Sequence, residues 1–127
     1  MRYISLIIII AITCLSCGSN NFDFNEELQE FKAEDTYFGN LLVKAIDDST
    51  CFQIIRKNGK HKVLNMQNLN DYLIINCNTN DTLPSLVLDR NTAYIIEHRC
   101  ILDAAPDEIT IYVDSNYKLH KIGNVSN

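Results

Sequence analysis

His98 and Cys100 stand two residues apart in a stretch that alternates cleanly, with Tyr94, Ile96, His98, Cys100 and Leu102 on one face. An imidazole and a thiol on one strand face can chelate a metal or act as base and nucleophile. Either chemistry needs further ligands or a third orienting group. After Cys17 the chain has no Cys-x-x-Cys, His-x-x-x-His or His-Glu-x-x-His spacing, so neither a metal nor a cofactor is expected, and His98 reads as a histidine at the edge of a core. Asp47-Asp48 and Asp107-Glu108 are adjacent carboxylates. Neighbouring side chains of an extended chain diverge, which suits solvated turns better than acid–base pairs. Cys51, Cys77 and Cys100 remain. Cys77 continues the apolar set Leu73 and Ile75, so a Cys77–Cys100 staple between two strands is one reading. Three small buried hydrophobes is the other. The stretch Arg56-Lys57-Asn58-Gly59-Lys60-His61-Lys62 is wholly basic and polar. Arg56, Lys57, Lys60 and Lys62 form a candidate docking site for an acidic partner or for anionic headgroups; an ordinary solubilising turn is the plainer alternative.

The elements that carry these residues are mostly short strands. Phe24, Leu28 and Phe31 fall at i, i+4 and i+7, which predicts an amphipathic helix from about 24 to 35, capped by Asp23 with Glu26 or by Asn25. Strands are expected over 41–46, 51–57, 60–65, 72–77, 85–88, 94–102, 109–113 and 117–122. Asn58-Gly59 is the strongest local signal for a hairpin between the second and third of these. The pattern predicts a mainly β fold, an antiparallel sandwich or small barrel of seven to eight short strands with one N-terminal helix.

The chain has 127 residues, 46% of them hydrophobic, and a formal net charge of -5. One ordinary domain is expected, and an acidic surface argues against nucleic acid as a partner. The charge is uneven: between Asp23 and Asp48 there are eight acidic residues against Lys32 and Lys44.

Arg2 followed by the apolar run Leu6–Ile12 has the length of an exported signal, too short to span a bilayer. It closes on Thr13-Cys14-Leu15-Ser16-Cys17-Gly18-Ser19. A small residue before a cysteine at this place resembles the lipobox of bacterial lipoproteins, with Leu15 one position closer to the cysteine than is usual. Cys17 fits better than Cys14, because Ser16 is smaller than Thr13 and Gly18-Ser19-Asn20-Asn21 suits a tether. The resemblance covers about the first 20 residues. It implies a signal peptide over 1–16, a lipidated Cys17 with a tether over 17–23, and a globular domain over 24–127. It also implies a diacylglyceryl thioether and an N-acyl chain on Cys17; several chains matter, since one gives only marginal membrane residence. Gly18 after that cysteine resembles the outer-membrane sorting default, with the domain facing the periplasm. The Asn- and Ile-rich usage is similar to that of Bacteroidetes proteins. Asp48-Ser49-Thr50 and Asp81-Thr82-Leu83 resemble the short O-glycosylation signal of exported proteins in that group, with Ser49 and Thr82 as acceptors.

The functional expectation is accordingly a non-enzymatic binding module anchored to the membrane through Cys17, with a protein partner. It would serve as an accessory subunit of an envelope complex or as an immunity or inhibitor protein. The alternative is a small envelope hydrolase or metal-dependent enzyme built around His98, Cys100 or the acids.

Overall fold

A computed structural model describes residues 19–99 and 106–124 of the chain. Among the described residues ten strands run β1 Phe22–Asn25, β2 Glu30–Ala33, β3 Asn40–Ala45, β4 Cys51–Arg56, β5 Val63–Asn65, β6 Tyr72–Asn76, β7 Thr82–Leu83, β8 Thr92–His98, β9 Asp107–Val113 and β10 Leu119–Asn124. They form a three-stranded sheet in the order β1-β2-β5 and a seven-stranded sheet in the order β10-β9-β8-β3-β4-β6-β7. Every pairing is antiparallel. The two sheets pack as a sandwich, as the period-2 pattern predicts. The large sheet contributes Leu41, Val43, Phe52, Ile54, Tyr94, Ile96, Ile109, Ile111 and Val113 to the core, and the small sheet contributes Phe22, Phe24, Phe31 and Leu64. The Phe24 and Phe31 rings pack at a tilt of 50° with centroids 4.7 Å apart, and the Phe22 ring lies 5.7 Å from that of Phe31.

The expected helix over 24–35 is instead the β1–β2 hairpin. Phe22 and Phe24 alternate with polar residues as strictly as Phe24, Leu28 and Phe31 recur at helical spacing, and pairing decides between the two patterns. Asn25 does cap a turn, its Oδ1 accepting from the Leu28 N–H at 3.0 Å. That turn cannot continue as a right-handed helix, because Gln29 takes φ 54°. Leu28 is left 55% exposed. Part of the stretch expected as a tether over 17–23 is packed: Asn20 is buried and Phe22 is in the core.

The Asn58-Gly59 hairpin is a second correction. β4 pairs with β3 and β6, and β5 pairs with β2, so residues 57–62 cross from one sheet to the other. Gly59 is needed here for a different reason: its φ is 71°, and a Cβ would come within 2.9 Å of His61 Nε2. Ser85–Leu88 is not a strand; β7 forms just before it and stops at Pro84, which has no N–H to extend the ladder.

The seam between the sheets is stitched on one side by side chains that replace strand partners. Gln29 spans the outer edge of β10: its Oε1 accepts from the Leu119 N–H at 2.8 Å and its Nε2 donates to the Leu119 carbonyl at 2.9 Å. Glu26 Oε1 accepts from the next outward amide, Lys121, at 2.8 Å. Asp107 Oδ2 in β9 accepts from the Phe22 N–H of β1 at 3.2 Å. The opposite seam, between β5 and the β6–β7 edge, carries a cleft.

Candidate functional site

The cleft on the open seam is built by the segment that follows β5 and by the run that follows β7. Met66, Gln67, Asn68, Leu69 and Asn70 form one wall and Leu83–Leu86 the other, with Tyr72 and Ile74 of β6 as floor and Lys57 at the rim; the volume is about 500 Å³. The first wall is stiff. Asn65 Oδ1 accepts from the Gln67 N–H, Asn68 Oδ1 from the Asn70 N–H, and the Tyr72 N–H bonds the Leu69 carbonyl, so successive Asx turns present polar side chains outward. Met66 and Leu86 also line a smaller apolar pocket of about 220 Å³, shared with Val87, Leu88, Val113, Tyr117 and Leu119. The two hollows therefore adjoin. Tyr72 is 7% exposed and its hydroxyl has no hydrogen-bond partner. Burial pushes that phenol above its ordinary pKa, Arg56 opposing and Asp71 adding to the effect, so it stays a neutral donor. A buried hydroxyl without a partner is costly.

The four basic residues expected to act together are divided by the crossover. Arg56 ends β4 opposite Tyr72. Lys57 sits at the cleft rim. Lys60 and Lys62 turn the other way, each with Nζ 5.9 Å from the centroid of the Tyr37 ring. The crossover is held by the Lys57 and Asn58 N–H groups on the Asp71 carbonyl, by the Phe38 N–H on the His61 carbonyl, and by His61 Nε2 at 3.0 Å from the Asn58 carbonyl.

A disulfide joins Cys51, the first residue of β4, to Cys77, which directly follows β6, with Cα atoms 5.3 Å apart. The expected Cys77–Cys100 staple is therefore corrected: Cys77 is bonded to Cys51, and Cys100 lies outside the described residues. In β6 the inward set is Tyr72 and Ile74, so Leu73, Ile75 and Cys77 face out, the reverse of the expected arrangement. A run apolar on both faces hides its own register. Cys17, Cys14 and the signal over 1–16 also lie outside the described residues.

His98 is fully buried between Phe22 and Phe38, with its Nδ1 2.8 Å from the Asn20 carbonyl. Nε2 makes no hydrogen bond of good geometry. Burial lowers the pKa of His98, while Asn20, the Tyr37 backbone and Asp107 pull it upward. The ring is thus neutral at pH 7, and it serves as a core strut pinning the chain just before β1. His120 is the opposite case: Asp114 at 2.8 Å, with Glu26 at 3.4 Å on the other ring nitrogen, raises its pKa. Asp47 accepts from the Ser49 N–H at 3.0 Å in the β3–β4 turn, and Asp107 is buried against Phe22, so neither adjacent acid pair forms a two-carboxylate site. Among the described residues no three His, Cys, Asp or Glu side chains are placed to hold a metal ion. Ser49 and Thr82 are both exposed, each on an end of the sandwich opposite Asn20 and Tyr37.

Sequence reasoning missed Tyr72 and the amides of Gln67, Asn68 and Asn70 as cleft residues. The one signal available was the density of Asn between β5 and β6. The chain matches no known protein family, no curated protein and no solved structure.

Proposed function

We propose that this chain is a lipid-anchored protein of the bacterial envelope whose sandwich serves as a non-enzymatic binding module, an accessory subunit or an immunity-type inhibitor. The open-seam cleft is its binding surface. The observation that carries the reading is the union of a stiff wall of side-chain amides, a buried Tyr72 hydroxyl without a partner and an adjoining apolar pocket. A few fixed polar groups beside apolar surface are what recognition sites present. The resemblance to a lipobox at Ser16-Cys17 supports the anchor. The Cys51–Cys77 bond supports an oxidising compartment such as the periplasm, because such bonds rarely persist in a reducing cytosol.

Two measurements test this. Metabolic palmitate labelling should show acylation that disappears in Cys17→Ser; label that persists there and vanishes in Cys14→Ser would reassign the anchor. A photo-crosslinking residue placed at Gln67 or Val87 of the tagged full chain should trap a partner in its own membranes. The same residue at Ile46, on a turn away from the cleft, should not. Equal trapping from all three positions would remove the cleft from consideration.

A further inference from the structure

The register of the sheets sorts the surface into two ends. Asn20, Tyr37, His98 and Asp107 lie at one end, together with the start of β3, the end of β4 and the start of β5. The β3–β4 turn, the Cys51–Cys77 bond and the β9–β10 turn lie at the other.

Ser19 is fastened at the first end. Its N–H and Oγ both donate to Asp35 Oδ2, at 3.2 and 2.7 Å. These bonds, with a smaller attraction from Lys62, hold the Asp35 carboxyl below its ordinary range. Lys62 is therefore close to the point where the chain enters the fold. Lys60 and Lys62 share the Tyr37 ring, which is 39% exposed. Tyrosine and lysine together are the residues that settle at a bilayer surface, the ring among headgroups and the ammonium reaching to phosphate. Glu34 and Asp35 stand at the same end; Asp35 is already occupied by Ser19 and Lys62.

Only Gly18 lies between Cys17 and Ser19, a span of two residue steps and a reach of at most about 7 Å. A headgroup layer is itself about 5–7 Å deep on each side of the hydrocarbon. A domain fastened at Ser19 has no slack to stand away from a bilayer that holds Cys17. From these placements we infer that the end of the sandwich bearing Lys60, Lys62 and Tyr37 is a membrane-apposed surface that binds anionic lipid headgroups. The inference rests on the reading of Cys17 as the lipidated residue. Its consequence is that the apolar pocket at Val113, Tyr117 and Leu119 and the exposed Ser49 and Thr82 point away from the membrane.

The test uses the acylated full chain, with its mass at Cys17 verified first, in protein-free vesicles of phosphatidylcholine alone or mixed about 3:1 with phosphatidylglycerol. Lysines are modified by a membrane-impermeant acylating reagent and read by peptide mass. In the anionic vesicles Lys60 and Lys62 should react about tenfold more slowly than in neutral ones, given the attraction of each lysine to an anionic surface. Lys44 and Lys118 should react alike in both. The protection should vanish near 1 M salt, where the Debye length is about 3 Å. Lys60→Glu should remove most of the difference at Lys62 between the two vesicle types while leaving the melting temperature nearly unchanged. Acylated protein whose Lys60 and Lys62 react equally in both vesicles overturns the orientation and leaves the anchor standing. A chain without acyl mass on Cys17 overturns both. Protection found in native membranes but not in the anionic vesicles assigns the patch to a protein partner and overturns the lipid assignment.

Discussion

Replacing Gln29 with Asn removes one methylene, and with it the reach to β10. Gln29 gives Leu119 both of its outward backbone partners and donates once more, from Nε2 to the Glu26 carbonyl at 2.7 Å. Asn tolerates a positive φ better than most residues, so the substitution isolates the lost bonds from backbone strain. Leaving a buried donor and a buried acceptor unpaired costs about 1–3 kcal/mol each. Some water will reach an edge strand, so the lower half of that range applies to each group, about 2–4 kcal/mol in total. For a domain of this size that is a fall in Tm of about 10–20 °C. The assay is thermal unfolding followed by circular dichroism, with the disulfide intact, together with amide hydrogen exchange. The Leu119 amide should lose most of its protection while the amides of β9 that face β8 keep theirs. A Tm within a few degrees of the parent, with Leu119 still slow to exchange, would refute the claim that a side chain stands in for a strand here.

Cys51→Ser with Cys77→Ser should lower stability by about 3–4 kcal/mol, from the chain-entropy relation for a bridge of sequence separation 26; urea unfolding midpoints check this, and peptide mapping without reduction should find Cys51 linked to Cys77. Tyr72→Phe should leave urea stability unchanged or slightly higher, because it removes a hydroxyl that has no partner; a loss of more than about 1 kcal/mol would mean the hydroxyl is satisfied in the folded protein. The two buttressing histidines should act in opposite directions with pH. His98 is held below its ordinary value of 6.5 by burial, so the unfolded chain takes up the proton first and stability falls as pH drops below about 6.5; His98→Gln should flatten the decline in Tm between pH 7 and pH 5. His120 is raised above 6.5 by Asp114 and Glu26, so its contribution is present below that value and fades as pH rises through the higher one; His120→Gln should flatten the decline on the alkaline side.

Strands β3, β8 and β9 of the large sheet were legible because each has one apolar and one mixed face, and their cores follow from period 2. What escaped were the features fixed by partners distant in sequence. Phe24, Leu28 and Phe31 satisfy a helical period as well as a strand period, and only the packing of Phe22 and Phe24 on Phe31 chooses between them. Asn58-Gly59 names a tight, left-handed bend, but a bend does not say which sheet the next strand joins. The facing of Cys77 was hidden in Tyr72-Leu73-Ile74-Ile75, which is apolar on both sides. For the candidate site the limits are similar: the basic stretch was visible, yet its division between the cleft and Tyr37 depends on the crossover. Gln29 carries no sequence signature at all, since its role lies 90 residues away at Leu119.

That glutamine, with Pro84 at the other edge of the seven-stranded sheet, has a consequence for the lipid-anchored protein proposed above. Molecules restricted to a bilayer meet one another far more often than the same number free in solution, and an open β edge turns each collision into an opportunity for strand-to-strand fusion. Here one edge offers its outward amides to Gln29 and Glu26, and the other is two residues long and ends in a residue without an N–H. Neighbouring copies can therefore crowd without templating one another, and a partner cannot be taken up by adding a strand to this sheet.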